Sequence, residues 1–102
     1  MITYNVTVSV EATTAEAWQA WMRDEHIAQI LDTGCFRTAR LYRLLDVEGS
    51  EGYETFVAQY DAPDRAHYER YIAEHAQEMR RRGMEKFGDR FTAFRTIMEQ
   101  IA

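Results

Sequence analysis

The sequence predicts an α+β fold with the element order β-α-β-β-α-β, and three observations within its 102 residues carry that expectation. Apolar residues alternate from Ile2 to Val10. Two stretches, about 14–32 and 63–83, hold apolar groups at helical spacing. Two strand-like runs joined by a glycine-containing turn lie between them, and a further strand closes the chain. This order is the split-βαβ, ferredoxin-like arrangement, a four-stranded antiparallel sheet with two helices on one face.

In strand 1, Ile2, Tyr4, Val6, Val8 and Val10 share one face, with Thr3, Asn5, Thr7 and Ser9 on the other. Thr13 or Thr14 is placed to cap helix 1, with Glu16 or Ala17 in its first turn. Trp18, Trp21 and Met22 fall on one helical face, and Ile27, Ile30 and Leu31 repeat the pattern. The step from Met22 to Ile27 breaks the helical phase, which predicts a kink or a second short helix near Asp24-Glu25-His26. Gly34 suits the left-handed position that ends a helix.

Strand 2 is expected from Phe36 to Val47 and strand 3 from Tyr53 to Tyr60, a hairpin joined through Glu48-Gly49-Ser50-Glu51-Gly52. Phe56, Ala58 and Tyr60 form the apolar face of strand 3, opposite Thr55, Val57 and Gln59. Pro63 is expected in the first turn of helix 2, where its missing N–H costs nothing. Tyr68, Tyr71, Ile72, His75 and Met79 read as one stripe facing the sheet. Arg70/Glu74 and Glu78/Arg82 are i, i+4 pairs on the wet side. Gly83 is expected to end the helix, with one further turn over Met84–Phe87, and strand 4 runs from Arg90 to Ile101. No linker or low-complexity tract interrupts residues 1–102, which read as one domain.

A net charge of −5 argues against a nucleic-acid partner, which needs a basic patch. The one basic run, Arg80-Arg81-Arg82, falls near a helix C-terminus and reads as a solvated face complementing the helix dipole. Cys35 is the sole cysteine, so no intrachain disulfide forms. A lone thiol suits packing in a reducing, cytoplasmic setting. The N-terminus has no signal-peptide pattern, and no apolar run approaches the roughly 20 residues of a membrane span. The three histidines form no i, i+4 pair and no cysteines cluster, so no metal site is expected.

Helices on one side leave the second sheet face uncovered. It is expected to carry Thr3, Asn5, Thr7 and Ser9, then Thr38, Arg40, Tyr42 and Leu44, then Val57 and Gln59. Phe91, Ala93, Arg95 and Ile97 are expected to complete it from strand 4. So mixed a surface predicts a contact, and a homodimer joined through the two sheet faces accounts for it.

Several segments resemble a bacterial family of uncharacterised proteins, a domain of unknown function within the dimeric α+β barrel superfamily. They are Tyr4-Asn5-Val6-Thr7-Val8, Trp18-x-x-Trp21-Met22-x-x-Glu25-His26-Ile27, Gly34-x-Phe36, Gln59-Tyr60-x-Ala62-Pro63 and Phe87-Gly88-Asp89-Arg90-Phe91-x-Ala93-Phe94-Arg95. The resemblance implies two ferredoxin-like sheets packed face to face and no particular activity. Haem-degrading monooxygenases of that superfamily join a strand 1 Asn to a helix 2 His and a Trp. Asn5 and His75 match, but helix 2 here offers only Tyr68 and Tyr71 in place of the Trp. Other members oxidise phenolic substrates without a cofactor.

The candidate site residues each have two readings. His26, with Glu25 to orient it, is an acid/base candidate at the helix 1 kink or simply a histidine at a helix start. His75 lies on an apolar stripe as a ligand or as a core imidazole satisfied by a hydroxyl. Trp18, Trp21, Tyr68 and Tyr71 line an aromatic pocket or pack as plain core. Arg40 and Arg95, with Tyr42 and Gln59 on the same expected face, bind a carboxylate or pair with acids of the chain or its partner. The expectation is a homodimer that binds a small organic molecule without a cofactor, with haem entering only through the relatives. The alternatives are an oxygenase or isomerase acting on a small aromatic substrate and a non-catalytic interaction module.

Overall fold

The N-terminal alternation becomes β1 (Ile2–Glu11) in the computed structural model, which describes residues 1–102. Its partners are β3 (Tyr53–Ala62) on one side and β4 (Phe91–Glu99) on the other, while β2 (Thr38–Arg43) forms the far edge against β3. The sheet order is β2-β3-β1-β4 and every neighbouring pair is antiparallel. The strand most regular in sequence therefore occupies the middle of the sheet. Two helical arms cover one face, as the α+β ferredoxin-like pattern requires. No helix is long and apolar enough to cross a membrane.

The first arm comprises α1 (Ala15–Trp21), a π-turn (Met22–His26) and α2 (Ile27–Leu31). The five-residue step from Met22 to Ile27 is absorbed without a break, because the Ile27 N–H donates to the Met22 carbonyl, one residue beyond the α pattern. Trp21, Met22, His26 and Ile30 consequently all point inward. Thr14 is the N-cap, but its side chain makes no capping hydrogen bond. Gly34 takes the left-handed conformation, φ 77°.

The second arm departs from the expected single helix. It is α3 (Arg65–Glu74) and α4 (Ala76–Phe87), separated at His75, whose φ of −127° leaves the helical region. The inward stripe runs Tyr71, Ala76, Met79, Gly83 and Phe87, so Ile72 turns outward at 38% exposure and His75 is half-buried. Gly83 lies inside α4, and Gly88 at φ 60° ends it. Pro63 precedes the helix. Asp64 is the N-cap, accepting from the His67 N–H at 2.9 Å.

Two strands also differ from expectation. β2 stops at Arg43: Leu44 N–H still reaches the Thr55 carbonyl at 2.9 Å, but left-handed Asp46 then leads the chain out of the sheet. β4 has the opposite phase to the one expected. Phe91, Ala93, Arg95 and Ile97 pair with Val10, Val8, Val6 and Tyr4, which puts them on the helix-covered face. Thr92, Phe94, Thr96 and Met98 occupy the open face instead. Apolar residues stand at both phases of this segment, so alternation does not choose between them and pairing with β1 does.

Aromatic rings fill the space between sheet and helices. Tyr4 stacks on Phe36 with centroids 5.9 Å apart, Tyr71 meets Phe36 edge-on at 4.9 Å, and Trp18 packs on Phe56 at 4.9 Å. Cys35 is fully buried beside them and accepts from Arg70 Nε at 3.3 Å.

Candidate functional site

The helix-covered face does not close completely. A cleft of about 70 Å³ remains between β1, the π-turn, α4 and β4. Its walls include Val6, Val8, Trp21, Met22, Met79 and Phe91. Gly83 is part of the wall because a side chain there would meet Phe91 Cζ at 3.5 Å and Trp21 Cη2 at 3.6 Å. Its polar side chains are few: the hydroxyls of Tyr4, Tyr60 and Tyr71, the imidazole of His26, and the guanidiniums of Arg80 and Arg95.

His26 is 7% exposed, and its ring stacks on Trp21 with centroids 4.1 Å apart. Nδ1 lies 3.1 Å from Gln29 Oε1. An amide oxygen only accepts, so this contact assigns the proton to Nδ1 and leaves Nε2 a lone pair. Gln29 in turn donates to Glu25 at 3.5 Å. Burial lowers the His26 pKa below its ordinary 6.5, aided by the charge of Arg82 and opposed by the Gln29 bond and Glu25. The imidazole is therefore neutral near pH 7. Burial pushes the Tyr60 and Tyr71 hydroxyls up, so both remain protonated.

The basic run divides. Arg81 pairs with Glu78 and Glu85, and Arg82 reaches Glu78 at 4.0 Å, all on the outer side of α4. Arg80 is exposed but lines the cleft mouth, and its Nη2 donates to the Tyr4 hydroxyl at 3.3 Å. Arg95 meets the same cleft from β4, not the open sheet face on which alternation placed it.

On the open face a separate network surrounds Asp61. Arg40 binds it in bidentate fashion at 2.6 and 3.1 Å, and the Thr3 and Thr38 hydroxyls each donate to it at 2.8 Å. The Arg40 bond, with the two hydroxyls, outweighs burial and holds the Asp61 carboxyl at about 2, below the ordinary 3.8. Gln59 donates to Asn5 at 3.1 Å and accepts from Arg40 at 3.4 Å. Arg40 is thus already neutralised by its own chain.

The expected site residues separate accordingly. Trp18, Trp21, His26, Tyr71 and Arg95 line the cleft. Asn5, Arg40 and Gln59 join the open-face network, and Tyr42 is exposed on that same face. Glu25 is on the outer surface, and Tyr68 packs on Tyr4 at 5.6 Å without lining the cleft. His75, at the α3–α4 joint, does not line it either. Asn5 and His75, the pair that haem-degrading relatives would join, are on opposite sides of the sheet, so they do not form a common haem pocket. Three residues escape the sequence reading. Asp61 falls beyond the expected end of strand 3. Gly83 shares the inward stripe with Ala76 and Met79 and Arg80 flanks it, a pattern visible only once the helix is broken at His75.

The sheet order and the two helical arms on one face define a ferredoxin-like α+β fold. HapK from Hahella chejuensis superposes with a TM-score of 0.71 at 15% identity, covering 99% of this chain and 93% of HapK. A protein described as dimeric ferredoxin-like, from an uncultured marine organism, matches at 0.67 and 5% identity over 100% of this chain and 96% of its own. SnoaB from Streptomyces nogalater, described as a cofactor-independent oxygenase, matches at 0.62 and 15% identity over 97% and 91%. No curated protein is significantly similar in sequence. The chain belongs to the family described as Domain of unknown function (DUF4286), which matches residues 1–101.

Proposed function

We propose that this protein is a cytoplasmic homodimer that binds a small organic molecule, without a resident cofactor, in the cleft between helices and sheet. The observation that carries the reading is an apolar, aromatic-walled cleft holding one buried, neutral imidazole. Concave apolar sites with a few converging polar groups are where small molecules bind. Dimerisation is supported by the open face, where Phe94 is 62% exposed and Met98 and Tyr42 are exposed as well, Tyr42 at the opposite edge of the sheet. Apolar groups flanking a half-buried polar network suit a contact between two copies, and one structural neighbour is itself described as dimeric. A single buried thiol agrees with a reducing compartment.

Light scattering tests the assembly. A dimer at micromolar concentration is expected, and Phe94→Asp is expected to yield a folded monomer; a monomeric native protein would refute the assembly. Thermal shift with a panel of phenols, aromatic acids and short branched acids tests the cleft. A ligand at about 100 times its Kd stabilises by about 2.7 kcal/mol, or roughly 10–20 °C for a chain of this size. No shift across the panel, with the cleft-filling Gly83→Leu as control, would remove the cleft reading.

A second reading is an oxygenase or isomerase acting on a small aromatic substrate, favoured by the cleft-lining imidazole of His26, whose Nε2 retains a lone pair. That nitrogen would take a proton from the bound substrate. His26→Gln is then expected to abolish turnover while leaving binding; unchanged turnover would dismiss the imidazole as base.

A further inference from the structure

Arg80 and Arg95 approach the same cleft from different elements, α4 and β4. Neither has a carboxylate within 4 Å, although the chain carries 17 acidic residues against 12 basic ones. The contrast within one run is sharp: Arg81 and Arg82 find Glu78, whereas Arg80 finds only a hydroxyl. Tyr4 accepts from Arg80 and so keeps its own O–H proton for another acceptor. Both positive charges also act on the Tyr71 hydroxyl, where they oppose the effect of burial. An apolar cleft with two unpaired guanidiniums at its exposed end matches an amphiphile with one negative terminus.

We propose that the ligand of this cleft is a small organic carboxylate, its anionic group held between Arg80 and Arg95 and its apolar body against Trp21, Met79 and Phe91. The inference rests on the reading of the cleft as a ligand site and narrows that reading to one chemical class. Size narrows it further. The cleft volume of about 70 Å³ is less than the roughly 150 Å³ that holds a benzene molecule. A short branched chain therefore enters it whole and a single ring only in part, with the carboxylate left at the open mouth.

The test compares acids with their neutral isosteres by calorimetry and thermal shift, using benzoate against benzamide and 3-methylbutanoate against its amide. At least one acid is expected to bind roughly tenfold or more tightly than its amide, as expected for a charge-assisted hydrogen bond. Arg80→Gln and Arg95→Gln are each expected to weaken the acid roughly tenfold and leave the amide unchanged. Arg81→Gln, on the outer side of α4, is expected to change neither. Equal binding of acid and amide, or a preference that survives the double substitution, would overturn the assignment. If neutral aromatics bind and neither acid does, the assignment fails and the cleft remains a ligand site. If nothing in either panel binds, both fail together.

Discussion

Each helical arm contains a five-residue step between buried residues, Trp21 to His26 in the first and Tyr71 to Ala76 in the second. The first is absorbed by a π-turn that keeps its backbone hydrogen bonds, and the second by a break at His75. A Glu-His pair stands at each, Glu25-His26 and Glu74-His75, yet the two imidazoles have different surroundings. His26 is sandwiched into the cleft by Trp21 at 4.1 Å. The ring before His75, Tyr71, is instead directed at Phe36, and its centroid is 6.3 Å from His75. An identical local sequence signal becomes a cleft group or a helix joint according to where the preceding aromatic ring packs.

Removing that ring tests the comparison most severely. Trp21→Ala takes away the stacking partner of His26 and the edge contact to Phe87 at 5.4 Å. We expect a loss of about 3–5 kcal/mol in urea unfolding. A loss under about 1 kcal/mol would show that the ring does not hold the π-turn.

The second difference is in pH dependence. The folded state lowers the His26 pKa below 6.5, so the unfolded chain takes up the proton more readily. The contribution of His26 is therefore complete above pH 6.5 and lost as pH falls below that value toward the lowered folded one. His26→Gln is expected to flatten the stability curve between pH 5 and 7. The same exchange at half-exposed His75 is expected to change stability at pH 7 by less than about 0.5 kcal/mol. Equal effects at the two positions would erase the distinction between them.

The smallest expected effect is at Gly83. Its neighbours lie at ordinary contact distance, so Gly83→Ala gains helix propensity without a clash, stabilising by up to about 1 kcal/mol while narrowing the cleft. Higher stability together with weaker acid binding is the expected pair of outcomes. Unaltered binding would place the ligand elsewhere.

Much of this was legible beforehand. β1, the hairpin, left-handed Gly34 and the slip after Met22 follow from local pattern and glycine chemistry. Trp18, Trp21, Tyr68 and Tyr71 read in the sequence as an aromatic pocket or plain core, and His26 separately as an imidazole at the helix 1 kink. Trp18, Trp21, Tyr71 and His26 line the cleft, and Tyr68 does not. Ile72 and His75 mimicked a continuous stripe and concealed the break, which hid Arg80 among solvated arginines. Arg95 was placed on the wrong face because Phe94 and Met98 compete with Phe91 and Ile97 for the apolar phase of β4.

Local periodicity and turn residues determine which segments are strands and helices, because those preferences act over a few neighbouring residues. The phase of β4, the break at His75 and the meeting of Arg80 with Arg95 depend on contacts between segments distant in the chain. Pairing with β1 and packing against Trp21 decide them, and no window of the sequence contains both partners.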